Sequence, residues 1–179
     1  MMFDRETAPS EEIDMAEEAH VAWIRSQRDA SLWHHATMAA LAYRSDPHDF
    51  IPWVLTQPEL DRATAGWLFL WSEGSRYLRG ERDFPHYNVS SERMLAIFRA
   101  VCERSEGVGF ANDFIGLDSD FEPERLRTLD VVARGEVSVG LVVPRVLLDR
   151  PFPPERPEKR FVLDDGLLLL SDDMIALLT

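Results

Sequence analysis

His34, His35 and His48 are the first residues whose types suggest chemistry. Two imidazoles and a carboxylate can hold Zn²⁺ or an iron-type ion, and Asp46 and Asp49 flank His48. An enzyme built this way would use His35, His48 and Asp49. The spacing argues against it. No His-x3-His pair occurs, and adjacent histidines on a helix point about 100° apart. The competing reading is structural: a partly buried His35, an exposed His34 and a capping Asp46.

Asp113, Asp118, Asp120 and Glu122 form the second constellation. Their composition suits a calcium loop, but an EF-hand needs glycine at the sixth position. Counted from Asp118 that position is Pro123, and from Asp113 it is Asp118. The motif fails in both registers. The nucleophile search also ends early. Cys102 is the sole cysteine and lies on the apolar face of an expected helix, which makes it an inert core thiol. No G-x-S-x-G, P-loop or G-x-G-x-x-G pattern occurs, and Gly107-Val108-Gly109 lacks the remainder of any phosphate-binding motif. Arg76, Arg79 and Arg82 could bind an anion, but a solvated or acid-paired face explains them as well. No cofactor is expected.

Charge is the more informative property. The net charge of the 179 residues is −13, which excludes binding nucleic acid through a general basic field. The acids are concentrated. Met1–Glu18 has seven acids and one base, Glu106–Glu124 six acids and no base, and Phe161–Thr179 four acids and no base. Such segments are either an acidic face for a basic partner or solvated surface that keeps the chain soluble. If they form a face, the residues to carry it are Asp113, Asp118, Asp120 and Glu122, because they lie in a loop. The first residues lack the apolar core of a signal peptide. No apolar run reaches the length of a membrane span. A cytoplasmic location is therefore expected.

The elements that would position these groups are mostly helical. A helix over Ser10–Arg28 is expected from Ser10 as N-cap and from Ile13, Ala16, His20, Trp23 and Ile24 on one face. A second helix covers Ser31–Arg44. Asp46-Pro47-His48-Asp49 reads as a new helix start, although Pro52 leaves its first turn irregular. The strongest helix is Asp61–Glu73, capped by Asp61 and apolar nearly all round, so it belongs at the centre. Ser75–Gly80 is a short helical turn, and Glu81–Val89 is a loop holding His86 and Tyr87. A helix from Ser90 or Ser91 to Ser105 buries Met94, Leu95, Ile97, Phe98, Val101 and Cys102. Glu106–Phe121 is a connection with a turn of helix near Phe110–Ile115. Glu122–Arg134 is a helix whose buried face is expected to be Leu126, Leu129, Val132 and Ala133. Alternation of Val137, Val139, Leu141 and Val143 then suggests a strand. Prolines 151, 153, 154 and 157 make a stiff connector. Asp164-Asp165-Gly166 between apolar runs signals a hairpin.

The fold class is thus mainly α: a compact multi-helix bundle or orthogonal helical array with a small β-containing C-terminal appendage. Residues 1–149 form the helical domain, and residues 150–179 form a proline-rich connector and hairpin, packed on it or appended to it. A truncation after Asp149 is expected to leave the helical core intact.

Within Asp46–Leu78, Trp53 precedes Pro58-Glu59-Leu60-Asp61, then Thr64-Ala65 and Phe69 to Trp71. This pattern resembles the bacterial domain of unknown function 4274 family. The resemblance implies a helical fold and carries no established activity. The functional reading favoured by small size, acidity and the lack of catalytic motifs is a protein-binding module, an immunity- or antitoxin-like inhibitor with an acidic face for a basic protein partner. The alternative is a small hydrolase or metal-dependent enzyme using His35, His48 and nearby carboxylates.

Overall fold

A computed structural model describes residues 4–84 and 88–170. His86, Tyr87 and the acidic residues beyond Leu170 lie outside the described residues. The chain is mainly α, with eight α-helices and one small three-stranded antiparallel sheet among the described residues. It divides into two compact units: one is the chain up to Val54 joined by residues from Pro157 onward, and the other is Leu55–Arg156. This differs from a boundary at residue 149. The segment after Asp149 is shared between the units rather than appended to one.

The first unit opens on β1 (Glu12–Asp14), where a helix from Ser10 was expected. Ser10 does not cap a helix; its hydroxyl accepts from the Glu12 N–H at 3.2 Å. Glu12, Ile13, Asp14 and Met15 alternate acid and apolar, and only Ile13 and Met15 are buried. That two-residue period is a strand's, and it is hidden inside a longer pattern that also fits a helix. Helix α1 (Glu18–Ser26) starts afterwards. Asp29 caps α2 (Ala30–Ala39) by accepting from the Leu32 N–H at 2.9 Å. Ala40–Arg44 continues α2 as a π turn that ends at left-handed Ser45. Asp46 then accepts from the Phe50 and Ile51 N–H groups at 2.8 and 3.0 Å and starts α3 (Phe50–Val54). Pro52 falls in the first turn of α3, where a missing N–H costs no helical bond. The hairpin expectation holds. Strands β2 (Val162–Asp164) and β3 (Leu167–Leu169) are joined by Asp165-Gly166, both with positive φ, as a tight hairpin turn requires. Strand β3 is central and also pairs with β1, placing Ile13 opposite Leu168.

In the second unit, α4 (Arg62–Trp71) is buried along its whole length except at Trp71. Trp67 stacks on Trp71 with centroids 4.8 Å apart. Trp67→Ala should destabilise the protein by about 3–5 kcal/mol, the usual cost of emptying a large aromatic site. Urea melts of both proteins measure this. A loss under about 1 kcal/mol would contradict the central role of α4.

Helix α5 (Gly74–Leu78) follows, and Ser90 caps α6 (Ser91–Glu106) by accepting from the Arg93 N–H. Phe98 of α6 meets Phe69, Tyr77 and Phe84, with ring centroids 5.8, 4.7 and 5.1 Å away. Burial pushes the Cys102 thiol up to about 12, which keeps it protonated and inert. No helical turn forms near Phe110–Ile115.

Helix α7 (Glu122–Ala133) forms where expected but turns another face inward. Glu124, Arg125, Thr128 and Val131 are buried, whereas Leu126 is 52% exposed. Polar contacts select this face. Glu124 accepts from the Ser75 N–H at 3.1 Å, and Arg125 donates to the Leu148 carbonyl at 2.8 Å. The strand expected over Val137–Val143 is absent. Val139 is fully exposed, and among the described residues no neighbouring strand offers a ladder. A short α8 (Arg145–Leu148) follows Pro144. Among the described residues, no helix is long and apolar enough to cross a membrane.

Candidate functional site

The N-terminus of α4 organises an open groove in the second unit. Asp61 is fully buried. One carboxylate oxygen caps α4 by accepting from the Ala63 N–H at 2.9 Å. The other accepts from the Phe114 and Ile115 N–H groups at 2.8 and 3.3 Å. This draws the chain after α6 against the start of α4, where Asn112 makes a parallel bridge with Asp61. Residues 115–117 are then joined to residues 153–156, with an isolated bridge between Leu117 and Pro154. Leu117 N–H donates to the Pro153 carbonyl at 3.0 Å, and Arg156 N–H donates to the Ile115 carbonyl at 2.9 Å. Gly116, at φ +79°, permits the approach: a Cβ there would sit 2.2 Å from the Pro154 carbonyl oxygen.

Arg62 fixes the second wall. Its side chain is fully buried and donates to the carbonyls of Leu147, Arg150 and Pro151 at 2.8, 3.1 and 2.9 Å. Its Nε lies 3.0 Å from Asp113 Oδ1, an ion pair whose N–H is off the line of a hydrogen bond. The guanidinium also covers the Phe152 ring at 4.0 Å. Phe152 and Leu117 rest on Gly66, where a Cβ would come within 2.4 Å of Phe152 and 3.2 Å of Leu117. The resulting groove holds about 570 Å³ and is lined by Leu117, Pro151, Phe152 and Pro154 with Asp118, Ser119, Glu122 and Glu155.

The four loop acids divide between two tasks. Asp113 is spent on Arg62 and on Arg150, the latter at 2.9 Å. Glu122 lines the groove and receives two bonds from Arg125 at 2.8 and 2.7 Å, which hold its carboxyl below the usual range. Asp118 accepts from the Asp120 N–H at 2.8 Å and otherwise faces solvent beside the groove. Asp120 is exposed on the short turn that follows but does not line the groove. Glu155 is the residue that sequence reasoning missed. Neither Asp118 nor Glu155 has a basic partner among the described residues. Glu155 lies between Pro153-Pro154 and Pro157, a stretch that reads as a spacer.

The histidines are placed otherwise than expected. His34 is buried and His35 half-buried, the reverse of the sequence reading for His34. His35 donates from Nδ1 to the Ser31 carbonyl at 2.9 Å and sets its ring edge-on to Phe161. His48 donates from Nε2 to the Ala16 carbonyl at 2.7 Å. Asp49 uses its backbone carbonyl to accept from Arg25 at 3.1 Å. Among the described residues, no three His, Cys, Asp or Glu side chains gather in a group fit for a metal. Arg76 is likewise taken, by Glu73 and Glu81 at 2.7 Å each.

No family model matches the chain, and no curated protein or solved structure is significantly similar to it.

Burial, with a smaller push from His35, lowers the His34 imidazole from 6.5 to about 3. The unfolded chain therefore takes up a proton near pH 6.5 that the folded chain refuses until about pH 3. The resulting stability is complete above the first value and declines as the pH falls toward the second. Urea midpoints measured from about pH 8 to pH 4 should fall below about pH 6.5, and less steeply in His34→Gln. A wild-type midpoint that stays flat over that interval would contradict the burial of a neutral His34.

Proposed function

We propose that the chain is a protein-binding module, a cytoplasmic bacterial inhibitor of the immunity or antitoxin kind, which presents an acidic surface to a basic protein. One observation carries the reading. Asp118 and Glu155 stand at an open groove of mixed polar and apolar lining, with no basic partner among the described residues. Unneutralised rim charge of this kind steers an oppositely charged partner and speeds its association. The resemblance of Asp46–Leu78 to the domain of unknown function 4274 family adds a helical scaffold to this reading and no activity.

The test begins by cross-linking the protein to its partner during growth and mapping the linked residues by mass spectrometry. Association rates of the purified pair are then measured from low to high salt. Steering decays over about 8 Å at physiological ionic strength, so the rate should fall as salt rises. Asp118→Asn, Asp120→Asn and Glu155→Gln together should slow association and leave the melting temperature nearly unchanged. Asp113 is left out because it supports buried Arg62. An association rate indifferent to salt and to these substitutions would reduce the acidity to a solubility feature.

A further inference from the structure

We infer that the outer edge of β2 pairs antiparallel with the same edge of a second copy of the chain, about a two-fold axis at Leu163. The hydrogen bonds around the sheet identify the open edge. Leu170 N–H donates to the Glu11 carbonyl at 2.8 Å, so residues 11 and 170 are a bonded pair at the end of the β1–β3 ladder. Bonded and non-bonded pairs alternate along an antiparallel ladder. Ile13 and Leu168 are therefore the next bonded pair, and Leu168 turns its backbone groups toward β1 rather than toward Leu163. By the same alternation Val162 and Asp164 bond inward to β3, and the Leu163 N–H and carbonyl point away from the sheet. The two edges are treated differently. On β1 the outward residues are Glu12 and Asp14, and side chains close both. Glu12 N–H donates to the Ser10 hydroxyl at 3.2 Å, and Asp14 N–H donates to His20 Nδ1 at 2.9 Å. On β2, no group among the described residues bonds to the outward N–H or carbonyl of Leu163. Such an edge is a template for another strand.

The ends of β2 select a second copy as the occupant. Lys159 lies before the strand, and Asp164 and Asp165 lie at its end. All three are exposed, and none has an ion-pair partner among the described residues. Arg160 is already committed to Asp29 and Glu158, so Lys159 carries the available positive charge. Antiparallel self-pairing lays the basic end of each strand against the acidic end of the other, with half-buried Val162 and Leu163 between them. Parallel pairing would set like charges together, which destabilises a ladder. With the axis at Leu163, each Leu163 N–H donates to the Leu163 carbonyl of the other copy, and the interface is isologous. A strand of a basic protein would match the Asp164 end and meet Lys159 at the other. The net charge of −13 on each copy opposes association at long range. Screening over about 8 Å at physiological ionic strength weakens that repulsion and leaves the closely paired ends in play. The contact is small, so the pairing is weak and reversible. It is independent of any basic partner at the groove.

The experiment uses the full chain at physiological ionic strength, followed by sedimentation equilibrium and amide hydrogen exchange. The average mass should rise from monomer toward dimer between about 10 µM and about 1 mM, the range of a weak contact. Over the same range the Leu163 N–H should exchange about tenfold more slowly, because it becomes bonded only in the dimer. Leu163→Pro removes the outward donor and no bond to β3, and proline is tolerated on an edge strand. That variant should melt near the wild-type temperature and stay monomeric at every concentration. Lys159→Glu sets acid against acid at both ends and should weaken the dimer by about tenfold. Adding Asp164→Lys exchanges the charges of the two ends and should restore most of the loss. This charge pair decides the matter if the proline variant does not fold. A wild-type chain that remains monomeric to about 1 mM overturns the inference. So does a dimer unchanged by Leu163→Pro, or by Lys159→Glu. Protection of the Leu163 amide at every concentration without a change in mass would assign the edge to the chain's own residues beyond Leu170. Protection that appears only with a bound basic protein would assign it to a strand of that protein. Either result replaces the second copy as the occupant.

Discussion

Arg62→Ala should cost about 3–5 kcal/mol, the range seen when one member of a buried charged network is removed. The substitution strips the carbonyls of Leu147, Arg150 and Pro151 of a shared donor. It leaves Asp113 with the exposed Arg150 as its one basic partner among the described residues. It also uncovers one face of Phe152. Arg62→Lys should recover only part of the loss, because an ammonium on a flexible stem cannot reproduce a fork aimed at three acceptors. Urea unfolding of the three proteins measures both effects. A loss below about 1 kcal/mol in the alanine variant would place Arg62 among ordinary surface arginines, which its full burial contradicts. A full rescue by lysine would show that charge matters there and geometry does not.

Truncation after Asp149 should abolish cooperative folding. It removes two of the carbonyls that satisfy Arg62 and the Phe152 ring packed on Gly66. It also removes both strands that complete the sheet with β1. Buried Ile13 loses its partner Leu168 at the same time. Arg160 forms an ion pair with buried Asp29, and Glu158 accepts from the Ser31 hydroxyl, so the first unit loses polar ties as well. Burial opposes ionisation of Glu158, but bonds from Arg160 and Ser31 outweigh it and hold the carboxyl down at about 2. A soluble truncated protein with a sharp melting transition would show that residues 1–149 are self-sufficient, as the proline-rich sequence suggests.

The helices were legible where one signal dominated. Asp61 before a mostly apolar run, Ser90 before an amphipathic one and Pro123 at a helix start each mark an end that the structure keeps. The hairpin was legible because Asp165-Gly166 leaves few alternatives. The misreadings share a cause: the deciding partner is far along the chain. Glu12-Ile13-Asp14 is a strand because of β3, which no local window contains. Val137–Val143 has strand composition but lacks a strand to join among the described residues, and it is irregular. Helix α7 turns Leu126 outward because Ser75 and the Leu148 carbonyl claim Glu124 and Arg125. The site followed the same rule. Asp118 and Glu122 were found from their loop, whereas Glu155 joins them through a bridge between distant segments.

The pairing of β1 with β3 also sets the order in which the chain can fold as it is made. Residues 55–156 form a contiguous unit and can assemble once they have emerged from the ribosome. The unit that begins first finishes last. Ile13, Met15 and the apolar face of α2 must wait for Leu168 and its neighbours, and nearly the whole chain intervenes. At roughly 5–20 residues per second, that interval is on the order of ten seconds. For that time a nascent N-terminal segment lacks the strand that completes its sheet. The seven acids of Met1–Glu18 then gain a use unrelated to any partner: they keep an unfinished strand apart from its copies on neighbouring ribosomes.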